Sequence, residues 1–222
     1  MDNQGNNISL IIEYNNVNNE NKKLKIVIIV NNNMLNNLKD NLINEYFMDC
    51  TYKIVPPNSN NFKLMVISGY NSTKNKTMLC LFALISNEKE YTFSTLFSYL
   101  KDKFSFKPHK FMCDFSLGQI KALKTVFPEV QLHWCFFHFY QAIWSNFKKN
   151  ELCGQGTYEK NSKLLFNIQI ICFIKRDKIN NFFKELTKKY KDRKYKKFLI
   201  ILIKLGWVQD ILIISVKILT DI

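Results

Sequence analysis

The chain has 222 residues, 47% of them hydrophobic and 19 of them Phe, which is enough apolar material to bury a sizeable core and excludes a disordered polymer. Its 32 Lys and Arg against 18 Asp and Glu leave a net charge of +14, which favours polyanionic partners, nucleic acid first and an anionic membrane surface second. The Asn runs suggest another source for that charge, an AT-rich coding sequence that inflates Lys and Asn together.

The chain opens on polar "MDNQGNN", without the basic and apolar regions of a signal peptide. Six cysteines, several inside apolar runs, suit a reducing intracellular compartment better than a disulfide framework. Residues 1–44 form an Asn-rich extension. Its runs "ISLIIEY" and "LKIVIIV" read as two strands joined by a loop, or as one strand with a poorly ordered leader. "MLNNLKDNLI" spaces Met34, Leu35, Leu38 and Leu42 as a short amphipathic helix.

From residue 45 the pattern is more regular. "EYFMDCTYKIV" (45–55) predicts a strand stopped by Pro56 and Pro57, followed by strands over 62–70 and 77–86. Polar turn segments between them suit antiparallel neighbours. "YTFSTLFSYLKDKF" lines Phe93, Leu96, Phe97, Leu100 and Phe104 along a helix face. "HKFMCDF" (109–115) predicts a fourth strand, Ser116 the N-cap of a helix over 117–127, and "VQLHWCFFHF" (130–139) a fifth strand leading into a helix. The order β-β-β-α-β-α-β-α over 45–149 is an α/β layering and that of the ribonuclease H-like fold, with a mixed five-stranded sheet. Residues 150–222 read as a basic, mostly helical region. The apolar tail is interrupted by Lys204, Asp210 and Lys217, short of the roughly 20 residues needed to span a bilayer.

Acidic residues are scarce, so Asp49 and Asp114 stand out within or at the end of apolar strands. A carboxylate there is costly unless it is paired or binds metal. In the expected sheet their strands are neighbours, and a divalent cation would relieve their mutual repulsion. Oxygen donors facing phosphate indicate Mg²⁺ or Mn²⁺. The alternative is that Asp49 lies on an exposed face and Asp114 starts a loop. Cys135 and His138, in "HWCFFHF", leave core packing, a zinc half-site and a nucleophile pair open.

Taken together, "FMDCTYKIVP", "YTFSTLFSYLKDKF" and "KFMCDFSLGQIKALKTVFPEVQLHWCFFHFYQAIW" resemble the Mutator-like element (MULE) transposase domain across residues 45–149. That resemblance implies a DDE-type catalytic core that uses Mg²⁺ or Mn²⁺ to cut and join DNA, with transposon ends and target DNA as partners. It implies a nuclear location, no membrane partner, and homo-oligomerisation as an open question. Asp49 and Asp114 match the first two catalytic acids and metal ligands, and Cys135 and His138 match the family's Cys/His pair. Glu185, in "FFKELTKKY", is carried for the third acid, although no motif fixes its alignment. Cys50 replaces the family's usual Gly, and Ser116 stands where a Glu is frequent. These departures, with the third acid not securely aligned, suggest a truncated or degenerate copy, and an inactive DNA-binding or regulatory derivative is the alternative function. A membrane-surface protein built on the basic C-terminal third is a further alternative.

Overall fold

The computed structural model describes residues 8–14, 24–51, 62–114, 116–153 and 158–204. These divide into two compact units, residues 1–135 and 136–222.

The first unit is built on strands β1 (Ile8–Tyr14), β2 (Leu24–Val30), β3 (Ile43–Thr51), β4 (Lys63–Asn71), β5 (Lys76–Ile85), β6 (Lys110–Cys113) and β7 (Gln131–Trp134). They form one sheet in the order β1-β2-β5-β4-β3-β6-β7. Antiparallel pairing runs from β1 to β3, and β3, β6 and β7 are parallel. The sheet therefore has seven strands, not the five expected. The two runs of the Asn-rich extension are both strands, and β2 pairs with the otherwise open edge of β5, Ile28 opposite Ala83. Pairing that edge satisfies a row of backbone donors and acceptors.

Burial alternates along β4, from Lys63 to Asn71, with every second residue buried and those between half-buried. Period-2 alternation assigns one face to the core. Helices α1 (Asn32–Leu38), α2 (Glu90–Phe104) and α3 (Leu117–Val126) contribute to that core. Phe93, Phe97 and Leu100 of α2 are fully buried beside Phe106 and Phe111. Phe97 meets Phe111 at 6.0 Å and Phe127 at 6.1 Å, while Phe106 sits edge-on to Tyr46 at 4.8 Å. Such tilted pairs add about 0.5–1.5 kcal/mol each beyond their buried area.

α1 is shorter than its apolar spacing predicts, and Leu42 falls outside it, exposed. Asp40 ends it by turning the chain into β3: its side chain accepts from the Leu42 N–H at 2.9 Å and its carbonyl from the Ile43 N–H at 2.9 Å. The fifth core strand is shorter too, ending at Trp134. From Phe136 the spacing of Phe139, Ile143 and Phe147 takes over as a buried helical stripe, so His138 is helical. Tyr52–Val55 and the two prolines expected to stop β3 lie outside the described residues, as does the chain beyond Lys204.

The second unit is helical: α4 (Phe136–Lys149), α5 (Tyr158–Gln169), a 3-10 turn (Ile170–Phe173), α6 (Arg176–Lys189) and α7 (Arg193–Lys204). Phe147 and Phe198 pack edge-on at 5.5 Å in its core. A buried polar chain crosses it: the Tyr195 hydroxyl donates to Asn161 Oδ1 at 2.6 Å, and Asn161 Nδ2 donates to the Leu152 carbonyl at 3.0 Å. Among the described residues no helix is long and apolar enough to cross a membrane.

Candidate active site

Strand β3 is where the sheet changes from antiparallel to parallel neighbours. Ligand sites in open α/β sheets collect at the carboxyl ends of strands beside such a switch. Both sequence-predicted aspartates stand there. The parallel register sets Glu45 opposite Lys110, Tyr46 opposite Phe111 and Phe47 opposite Met112. Asp49 and Asp114 each follow by the same number of residues, so continuing that register brings them level. By alternation they share the face of Phe47 and Met112, opposite the buried Tyr46 and Phe111.

Asp49 is exposed and Asp114, half-buried, follows the end of β6, which is the placement the alternative reading expected of both. An exposed strand position removes most of the desolvation cost that an apolar setting imposes on Asp49. Both carboxylates act on the Cys50 thiol, which packs against the core. Burial pushes its pKa well above the ordinary range, and the charges of Glu88, Asp49 and Asp114 push the same way against the opposing Lys63. Cys113, one residue before Asp114, is pushed up to about 12, by burial first and then by Asp114 and Cys135. Both thiols are thus kept protonated, and neither is poised as a nucleophile.

Beneath Asp49 the core-facing side is unexpectedly polar. Gln119 in the first turn of α3 is 2% exposed and donates from Nε2 to Cys50 Sγ at 3.7 Å. Its Oε1 is buried without a hydrogen-bond partner. Lys63 on β4 is buried and forms an ion pair with Glu88. The α3 N-terminus lies directly on the chain before α2: a Cβ on Gly118 would stand 2.5 Å from the Glu88 carbonyl oxygen and 3.0 Å from the Glu90 nitrogen. Ser116 occupies the N-cap position, but its side chain makes no capping hydrogen bond. Only its carbonyl engages, accepting from the Ile120 N–H at 3.0 Å.

Sequence reading missed this support. Gln119 sits in the core stripe of a helix, and neither periodicity nor charge marks a buried amide there. The available signal was Cys50 itself, a side chain with an acceptor sulfur following Asp49.

Of the remaining candidates one is in the first unit and two are in the second. Cys135 follows β7, half-buried, and its N–H donates to the Cys113 carbonyl at 3.1 Å. His138 lies in the first turn of α4, in the second unit. Glu185 is on the exposed face of α6, paired with Lys188 at 2.9 Å one turn away. Among the described residues no group of three or more His, Cys, Asp and Glu side chains could hold a metal ion.

No curated protein matches this chain. Residues 46–142, from Tyr46 in β3 to Ala142 in α4, match the family model of the MULE transposase domain, a segment that takes in Asp49, Asp114, Cys135 and His138 and relates the chain to transposases and DNA transposition.

Proposed function

We propose that the chain carries a DDE-type transposase site on a ribonuclease H-like core formed by β3–β7. The supporting observation is the parallel β3–β6 register, which, continued two residues past its last pair, would set Asp49 and Asp114 level on one sheet face. Two carboxylates at one level, one of them exposed, are a hard-oxygen donor set that fits Mg²⁺ or Mn²⁺ and that phosphate can reach. Asp49 and Asp114 would hold the ion, which when bound supplies an activated oxygen nucleophile and charge neutralisation at a phosphodiester.

The chain's own contribution is orientation. Strand pairing fixes the backbone of Asp49. The β6 end and the start of α3 fix that of Asp114, and Gln119 ties α3 to the residue after Asp49. Glu185 is the proposed third acid on sequence order, and its exposed carboxylate would have to exchange Lys188 for the metal. Cys135 and His138 mark the family motif and are proposed to shape the segment between the second and third acids.

Incubating the full chain with transposon-end DNA and Mn²⁺ or Mg²⁺ tests this. Metal-dependent strand cleavage is expected, falling by about 100-fold or more in Asp49→Asn and Asp114→Asn. Cleavage that survives either substitution rejects the assignment. Glu185→Gln tests the third acid in the same assay.

A second reading is favoured by the pair of carboxylates lacking a third within a described cluster, together with the charge of +14. It is a non-catalytic DNA-binding or regulatory derivative, acting in the nucleus. Its signature is DNA binding that falls steeply with salt, needs no divalent ion and occurs without cleavage.

A further inference from the structure

The exposed large apolar side chains differ between the two units. In residues 1–135 they are Leu42 and Leu117; in residues 136–222 they are Phe136, Phe137, Tyr140, Phe166 and Phe173. Among the described residues of the helical unit, every one is therefore aromatic. Phe173 is 76% exposed and Phe137 60%. The inner stripe of α4 is already filled by Phe139, Ile143 and Phe147, so these rings are surplus to the core. Phe136 and Phe173 lie 5.4 Å apart at a tilt of 56°, which joins the start of α4 to the 3-10 turn. Tyr140 follows Phe136 by one turn on the same flank.

The unit that carries these rings is strongly basic. Residues 136–222 hold 17 Lys and Arg against 7 Asp and Glu, ten of the fourteen net charges of the chain. Lys163 precedes Phe166 by one turn, and Lys175 and Lys178 follow Phe173; all three lysines are exposed.

We propose that residues 136–204 form a binding surface for single-stranded nucleic acid. Unpaired bases stack on Phe136, Phe137 and Phe173, and phosphates are held by Lys163, Lys175 and Lys178. Every base offers a flat π-face, so the surface tolerates sequence. In a duplex those faces are already stacked on neighbouring bases, so the rings favour unpaired strands, whereas the lysines serve either form. An anionic bilayer is the competing polyanion. Insertion draws on aliphatic side chains together with Phe and Trp, and the described part of this unit exposes no large aliphatic side chain. The choice of DNA as the strand's source rests on the transposase reading; the surface itself does not.

The test uses the full chain without divalent metal, with a labelled mixed-sequence 20-nucleotide strand and the same sequence as a duplex. Single strand is expected to bind at least about tenfold tighter. Phe137→Ala with Phe173→Ala should narrow that ratio to within about threefold while duplex affinity holds. Lys175→Ala with Lys178→Ala should weaken both forms and flatten the salt dependence. Phe173→Trp keeps a stacking surface, and the indole fluorescence it adds should be quenched by the strand. Equal affinity for the two forms, a ratio unmoved by the Phe substitutions, or added emission in Phe173→Trp that stays unquenched at saturation overturns the proposal. So does phosphatidylserine vesicle binding that displaces the strand and is lost with the same Phe substitutions. Strand preference in a chain that fails to cleave transposon-end DNA with Mn²⁺ or Mg²⁺ sinks the catalytic reading alone, and metal-dependent cleavage without strand preference sinks this one alone.

Discussion

The two units use the same residue types in opposite ways. In residues 1–135 the described aromatic rings are at least partly withdrawn from solvent, with Phe93, Phe97, Phe106 and Phe111 fully buried, while Asp49 is exposed and Asp114 half-buried. In residues 136–222 several rings face outward among lysines, and the candidate acid Glu185 is bonded to one of them. On the proposed readings, one unit would orient a small acidic site on its sheet, and the other would offer positive charge and stacking surface, separating chemistry from grip. Local residue counts conceal it, because Phe and Lys are abundant throughout.

The sharpest break in that comparison is a pair of identical substitutions. Phe97→Ala should destabilise the first unit by about 3–5 kcal/mol, since it deletes a fully buried ring that touches Phe93, Phe111 and Phe127. Phe173→Ala should move stability by no more than ~0.5 kcal/mol. Urea denaturation of both variants checks this, and equal losses would show that the outward rings are core after all.

Alkali should act on both units and more on the first, since in the second burial pushes Cys172 up to about 11. Burial raises Tyr46, Cys50, Cys80 and Cys113, with Cys113 pushed up to about 12 from an ordinary 9.0. The folded state therefore holds protons that the unfolded chain gives up above pH 9. Stability is fully present below that and falls as pH rises toward 12. Urea midpoints at pH 8 and pH 10.5 should differ, and Cys113→Ala should shrink the difference. A midpoint unchanged across the range would contradict the buried placement of these groups.

Smaller effects probe the support under Asp49. Gly118→Ala forces backbone to move at Glu88 and Glu90, which should outweigh the gain in helix propensity and cost about 1–3 kcal/mol in thermal melts. Gln119→Leu removes a buried acceptor without a partner and should stabilise the fold by ~1 kcal/mol. In the cleavage assay the same variant should lose about tenfold or more, as residues supporting a metal ligand do. Unchanged cleavage would mean that Gln119 does not position the carboxylates.

Much of the first unit was legible in the sequence because its strands alternate and its helices keep a single apolar stripe. The antiparallel triple follows from that patterning, whereas the expectation that the strands of Asp49 and Asp114 are neighbours came from the order of the ribonuclease H-like sheet, and β3 and β6 do pair in parallel. Boundaries were less so. Leu42 fits the α1 stripe, yet the Asp40 turn removes it, and Phe136–Phe139 look like strand residues until helical spacing claims them. The β2–β5 pairing was hidden because an Asn-rich flank carries no signal of which edge it will join. Gln119 was hidden because a buried amide depends on what lies across the core from it.

The lengths of the pairings have a consequence for the order of folding. β3, β4 and β5 follow one another along the chain and pair over eight and nine residues, whereas β6 pairs with β3 over only three and must reach it across α2 and the intervening strands. Loop closure disfavours that contact until the meander exists. Asp49 therefore belongs to an early-formed element and Asp114 to a late one. The acid pair comes into being only as the sheet is completed, so a half-folded chain carries no paired site. Pulse-labelled hydrogen exchange should show the β6 amides gaining protection after those of β4, and simultaneous protection would refute this order.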